Sequence, residues 1–129
     1  MANIMEVIAS KKNFRGLSPA TKEQIQNAQE KLGITFYTDY KEYIMATGVA
    51  SFDGHELTGV CSFPRLDVIS TTERCREELV SIKPSWYVIE ELNIDQTTIW
   101  QDADGSIYRV TPQSEPLKIA RDLIEYINL

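Results

Sequence analysis

Apolar residues return at helical spacing in five stretches of this chain, and between them lie short runs whose β-branched and aromatic residues suit strands. Ile4, Val7 and Ile8 follow Asn3 and Glu6, which are spaced as a capping box, and predict a short helix reaching about Lys12. Ser18 and Pro19 form a start signal, because serine takes free amides and proline at the first helical position loses nothing by lacking its own. Ile25, Ala28 and Leu32 then share one face. Gly33 stands where a left-handed residue ends that helix, with Ile34 folding back onto its last turn. Thr38 is the next cap, and Tyr40, Tyr43 and Ile44 carry a helix to a second stop at Gly48.

In VASFDGHEL, Asp53-Gly54 separates two short apolar-rich runs, the signal of a tight hairpin whose central residues both need positive φ. Its second strand extends through Leu57 towards Val60. Thr71 or Thr72 is placed to cap a helix that turns Cys75, Leu79 and Ile82 inward, and Pro84 stops it. WYVIEEL and TTIWQ read as strands joined by a turn at IDQ, and Asp104-Gly105 separates TTIWQDA from SIYRVT as a second hairpin of the same type. Trp86 and Val88 point to one face and Tyr87 and Ile89 to the other, so this strand is apolar on both sides and belongs inside the sheet. Ala120, Leu123, Ile124 and Ile127 recur as one face of an amphipathic terminal helix. The order of elements predicts an α+β fold, an antiparallel sheet flanked by helices. No repeat or linker divides the 129 residues, a length suited to a single domain over 1–129.

Composition, at 43% hydrophobic and 25% charged, is that of an ordinary soluble globular chain. Charge is more informative. The chain carries −6, and the segment from Trp86 to Leu129, with eight carboxylates against three cations, carries −5 of it. An acidic protein of pI about 4.8 is poorly suited to gripping phosphate backbones, which excludes direct nucleic-acid binding and favours a basic protein partner. In MANIMEVIASKKNF, Glu6 interrupts the apolar stretch, so neither a secretory signal nor a membrane span is supported and cytoplasmic residence is expected. Cys61 and Cys75 are too few for a disulfide framework and are expected reduced.

Catalytic and metal-binding patterns find no support. One histidine and two cysteines offer no ligand pairs at the usual spacing. Asp102 and Asp104 before Gly105 suggest a calcium loop, yet its first and twelfth positions would be Trp100 and Thr111, where carboxylates are needed. His55 follows a turn glycine and reads as solvated. Glu90 and Glu91 are strand neighbours facing opposite sides, which does not let them share a proton. With no phosphate-binding glycine loop either, no cofactor, no metal and no catalytic residue are expected.

The order of blocks LSPATKEQIQNAQEKLGITFYTDYKEYIMATGVASFDGHELTGV, LDVISTTERCREEL, WYVIEELNIDQTTIWQDADGSIYRV and LKIARDLIEYI resembles the SUKH superfamily, the Smi/Knr-type domain. The first block is similar to that family's helix pair, glycine stop and hairpin ending in Glu56-Leu57-Thr58-Gly59. The later ones are similar to its helix, its strand pair around an acidic turn, here Asp102-Ala103-Asp104-Gly105, and its closing helix.

The resemblance implies a non-enzymatic immunity protein that binds a cognate bacterial toxin domain and masks its active site. Many such toxin domains are nucleases with basic clefts, which an acidic surface suits. The residues expected at that interface are Asp53 and Glu56 on the hairpin, with Glu90, Glu91, Asp95, Asp102 and Asp104 around the strands. The alternative is a regulatory adaptor of the kind found among fungal cell-wall regulators. An enzyme is a third reading, for which a cleft of convergent polar groups would be the mark.

Overall fold

The computed structural model describes residues 3–79 and 81–129, and among them the chain forms five helices and a seven-stranded sheet. The elements run α1 (Ile4–Ala9), β1 (Arg15–Gly16), α2 (Lys22–Leu32), α3 (Thr38–Thr47), β2 (Ala50–Phe52), β3 (His55–Leu57), α4 (Val68–Glu78), β4 (Tyr87–Glu91), β5 (Thr98–Gln101), β6 (Ile107–Val110), β7 (Leu117–Ala120) and α5 (Leu123–Ile127). The strands lie in chain order, every neighbouring pair antiparallel. This is the expected α+β architecture. Among the described residues no helix is long and apolar enough to cross a membrane.

Local chemistry sets the boundaries, in several places one turn away from the sequence reading. α2 starts at Lys22, capped by Thr21: the Gln24 amide donates to Thr21 Oγ1 at 3.1 Å and the Thr21 amide to Gln24 Oε1 at 2.9 Å. The Ser18-Pro19 start is displaced because that segment caps something else. The amides of Leu17 and Ala20 donate to the carbonyls of Thr47 and Ile44 in the last turn of α3, which also accept the amides of Val49 and Gly48. Gly33 does stop α2, at φ 66°, and Ile34 folds back with its amide on the Gln29 carbonyl. Thr38 is the first helical residue of α3, not its cap. α4 is capped by Asp67, so Thr71 and Thr72 lie inside the helix, both buried. The Thr72 hydroxyl there accepts the Val88 amide at 3.0 Å and ties the helix to β4.

Asp53-Gly54 forms the expected tight turn, with φ of 47° and 84°. The Asp104-Gly105 turn is of a different type. Only Gly105 has positive φ there, and its amide donates to the Asp102 carbonyl at 3.1 Å, giving a longer loop with a glycine bulge. At the C-terminus, Ala120 ends β7 opposite Ile107 instead of starting a helix. Asp122 caps α5 by accepting the Glu125 amide at 2.8 Å, which limits that helix to five residues.

β4 is the middle strand and divides the core. Tyr87 and Ile89 enter the larger cluster with Phe36, Tyr40, Tyr43, Ile44, Leu123 and Tyr126. Trp86 and Val88 enter the smaller one with Trp100, Val110 and Cys75 of α4. Between Val88 and Glu90 the register slips: Val88 faces Trp100 and Glu90 faces Ile99, leaving Ile89 as the extra residue of a bulge. That slip decides which carboxylate of the Glu90-Glu91 pair is buried.

Candidate functional site

In a meander whose strands follow chain order, the β2–β3, β4–β5 and β6–β7 connections fall at one end of the sheet and the β5–β6 loop at the other. The seven carboxylates expected at an interface are therefore divided. Asp53, Glu56, Glu91 and Asp95 belong to the first end. Asp102 and Asp104 belong to the second, about 13 Å away along β4 and β5.

Glu90 is withdrawn from the surface, which corrects its assignment as a contact residue. The bulge points it, like Ile89 before it, into the larger core, where it is only 2% exposed. Three groups donate to its carboxylate: His55 Nδ1 at 2.9 Å, the Glu56 amide at 2.9 Å and the Tyr126 hydroxyl at 2.5 Å. His55 is consequently no free turn residue. It is half-buried, and its hydrogen bond to Glu90 raises the imidazole pKa against the opposing effect of burial. Burial and the Glu90 charge push the Tyr126 hydroxyl up as well.

Glu91 takes the opposite phase and faces α4, where Arg74 Nη2 donates to it at 2.6 Å. Glu56 is gripped by both terminal nitrogens of Arg65, at 2.9 and 3.1 Å, and that hydrogen-bonded pairing lowers its pKa. The two arginines were missed in the sequence, where no spacing connects them with their partners. A polar pocket of about 250 Å³ lies between these pairs, with Thr58 and Asn93 in its lining. Beside it a larger cleft of about 700 Å³ separates α4 from the β4–β5 connection, where Glu78, Glu91 and Asp95 are acidic and Leu79 and Leu92 apolar. Asp95 and Gln96 both have positive φ in that turn, and the preceding Ile94 is 67% exposed.

At the far end, Asp102 and Asp104 serve their own turn. Asp102 Oδ1 accepts the Asp104 amide at 2.9 Å, and Asp104 Oδ1 accepts the Ser106 amide at 3.1 Å. Hydrogen bonding to Asp102 and Ser106 holds Asp104 down at about 2, while burial and then Asp104 push Asp102 up.

Deeper in the fold, Asp39 is buried and accepts from Gln101 Nε2 at 3.1 Å and the Leu123 amide at 2.7 Å. Burial raises its pKa. The Tyr87 hydroxyl extends this network, donating to Gln101 Oε1 at 2.6 Å and accepting the Tyr37 amide. These groups join α3, β4, β5 and α5 and are consumed by that task. Burial raises the thiols of Cys61 and, to about 11, Cys75, which leaves little thiolate for nucleophilic chemistry. Among the described residues, no three His, Cys, Asp or Glu side chains are grouped to hold a metal ion.

A family model described as SUKH_5, SMI1-KNR4 cell-wall, matches residues 1–128. The chain is also similar to an uncharacterized protein, YnaB, of Bacillus subtilis (strain 168), with 40% identity over 45 residues. That match covers 34% of this chain and 31% of YnaB, so it spans about a third of the relative's length.

Proposed function

Because the chain belongs to the SUKH family of SMI1-KNR4 domains, we propose that it is a non-enzymatic immunity protein, acting in the cytoplasm as one domain, that binds a cognate toxin domain and masks its active site. The observation that carries the reading is the end of the sheet where Asp53 and Asp95 stand exposed on hairpin turns about 10 Å apart, with Glu56, Glu91 and a cleft of about 700 Å³ beside them. A basic substrate cleft presents cations to such a surface, and complementary fields accelerate the encounter of the two proteins. Asp102 and Asp104, tied into their own turn at the other end, are left out of this interface.

The test is genetic and biochemical. A large secreted protein with a variable C-terminal toxic domain is expected in the reading frame immediately upstream. Co-expressing that domain with this chain should restore growth and yield a complex on pull-down. Neither complex nor protection would exclude the pairing. A complex with cell-wall or signalling proteins, without protection, would favour the regulatory adaptor.

A further inference from the structure

The β1 edge of the sheet, on the far side of the β2–β3 hairpin from the cleft, has a surface of different chemistry. β1 is the terminal strand, and both of its residues are exposed with no strand beyond them among the described residues. A groove of about 270 Å³ lies between β1–β2 and the loop after β3, walled by Leu17, Val49, Phe63 and Leu66. Leu17 is 53% and Phe63 57% exposed, and both also border an adjoining hollow with Pro19 and Val60. Large apolar side chains left open beside an unpaired strand edge mark an interaction surface.

Charge narrows the occupant. Two charged residues line the groove, Arg15 and Glu56. Glu56 is already held by both nitrogens of Arg65, whereas Arg15 has no ion-pair partner among the described residues. Asp53 borders Arg15 in the hollow at the β2–β3 turn without forming an ion pair, so among the described residues Arg15 is the groove cation left to take a carboxylate, on a chain of net −6. We propose that this edge takes an extended segment of a partner protein as an eighth strand, seating an apolar side chain in the groove and, two residues on and on the same face, a carboxylate against Arg15.

Main-chain hydrogen bonds along β1 supply affinity in this mode, and the pocket with its arginine supplies selectivity. A second copy of the chain fits less well, since pairing a strand this short with itself brings the two Arg15 side chains together. A basic segment fits less well for the same reason. The inference does not rest on the immunity role, and its groove meets the acidic end of the sheet only at Glu56 and, through Arg15, at Asp53.

The isotope-labelled full chain, followed by NMR, would be titrated with blocked pentapeptides Thr-X-Val-Glu-Val, where X is leucine, isoleucine, phenylalanine or methionine and X and Glu share a face of the strand. Matched peptides with lysine for glutamate, or serine for X, serve as controls. Saturable shifts are expected at residues 15–17, 50–51 and 63–66, with the glutamate peptides binding roughly tenfold more tightly than the lysine ones. Arg15→Glu should invert that preference. Leu17→Ser with Phe63→Ser should abolish binding while leaving the thermal midpoint unchanged, since both side chains are exposed. The proposal is overturned by no saturable shift up to about millimolar peptide, or by equal binding of glutamate and lysine peptides. A doubled mass in light scattering that Leu17→Ser removes also overturns it and assigns the groove to a second copy. Loss of toxin binding in the co-expression experiment leaves these outcomes untouched, so the two readings fail separately.

Discussion

His55 Nδ1 lies 2.9 Å from Oε1 of Glu90, joining the start of β3 to the core carboxylate of the middle strand. The Tyr126 hydroxyl donates to the same Glu90 oxygen, so one carboxylate links the β2–β3 hairpin, β4 and the last helix. The chain contains a single histidine, and the fold places it on this joint.

Stability should therefore fall as pH rises past neutrality. The fold raises the His55 pKa above its ordinary 6.5, through the Glu90 hydrogen bond first, helped by the charge of Asp53 and opposed by burial and Lys11. The stabilisation is fully present below pH 6.5 and is lost as pH climbs through the raised value. A loss on the order of 1 kcal/mol is expected. Urea unfolding at pH 5.5 and 8.5 measures it, and His55→Gln should flatten the difference. An unchanged slope in that variant would remove His55 from the account.

Neighbouring carboxylates should differ sharply in their contribution. Glu90→Ala leaves three donors unpaired, the Tyr126 hydroxyl buried and the other two part-buried, and is expected to destabilise by about 3–5 kcal/mol. Glu91→Ala breaks an ion pair whose Arg74 side chain is 48% exposed and should cost about 1 kcal/mol or less. Equal losses in denaturant titrations would mean that the bulge does not set the phase of β4.

Gly59 should tolerate no side chain. A Cβ there would lie 1.7 Å from the Gly48 carbonyl oxygen, so backbone must move. The same residue donates to the Leu66 carbonyl and accepts the Val68 amide, which fix the approach to α4. Gly59→Ala is expected to cost more than about 2 kcal/mol. At Gly33 a Cβ meets nothing, and alanine should cost only about 1 kcal/mol for its positive φ. Thermal midpoints of the two variants give the ranking, and a milder effect at Gly59 would contradict it.

Much of the fold was legible because burial is written in periodicity. The two-faced apolar run at Trp86–Ile89 announced a central strand, and Asp53-Gly54 announced its turn by chemistry that few residues satisfy. β1 escaped because two exposed residues, Arg15 and Gly16, carry no pattern and are fixed only by pairing with β2. β7 and α5 were merged because Ala120 is buried in either conformation, and the Asp122 cap decides the boundary. The candidate surface was less legible for a related reason. A bulge at Ile89 moves the phase of β4 by one residue, with no glycine to signal it, and so buries Glu90 instead of Glu91. Arg65 and Arg74 meet their glutamates only through tertiary structure.

The division of acidic residues between two ends gives the sharpest test of the electrostatic interface. Asp53→Asn with Asp95→Asn removes two charges from the end beside the cleft, and Asp102→Asn with Asp104→Asn removes two from the other. Asparagine tolerates the positive φ of Asp53 and Asp95 and keeps an acceptor oxygen for the turn that Asp102 and Asp104 build. Both double variants should therefore fold alike and carry the same net charge. Stopped-flow association with the toxic domain at low salt should slow by roughly tenfold for the first pair and stay near the parent rate for the second. Raising the ionic strength should erase the difference, because a field acting beyond about 8–10 Å is screened. Equal slowing by both pairs would reduce the effect to net charge, and slowing by the second pair alone would move the interface to the β5–β6 end.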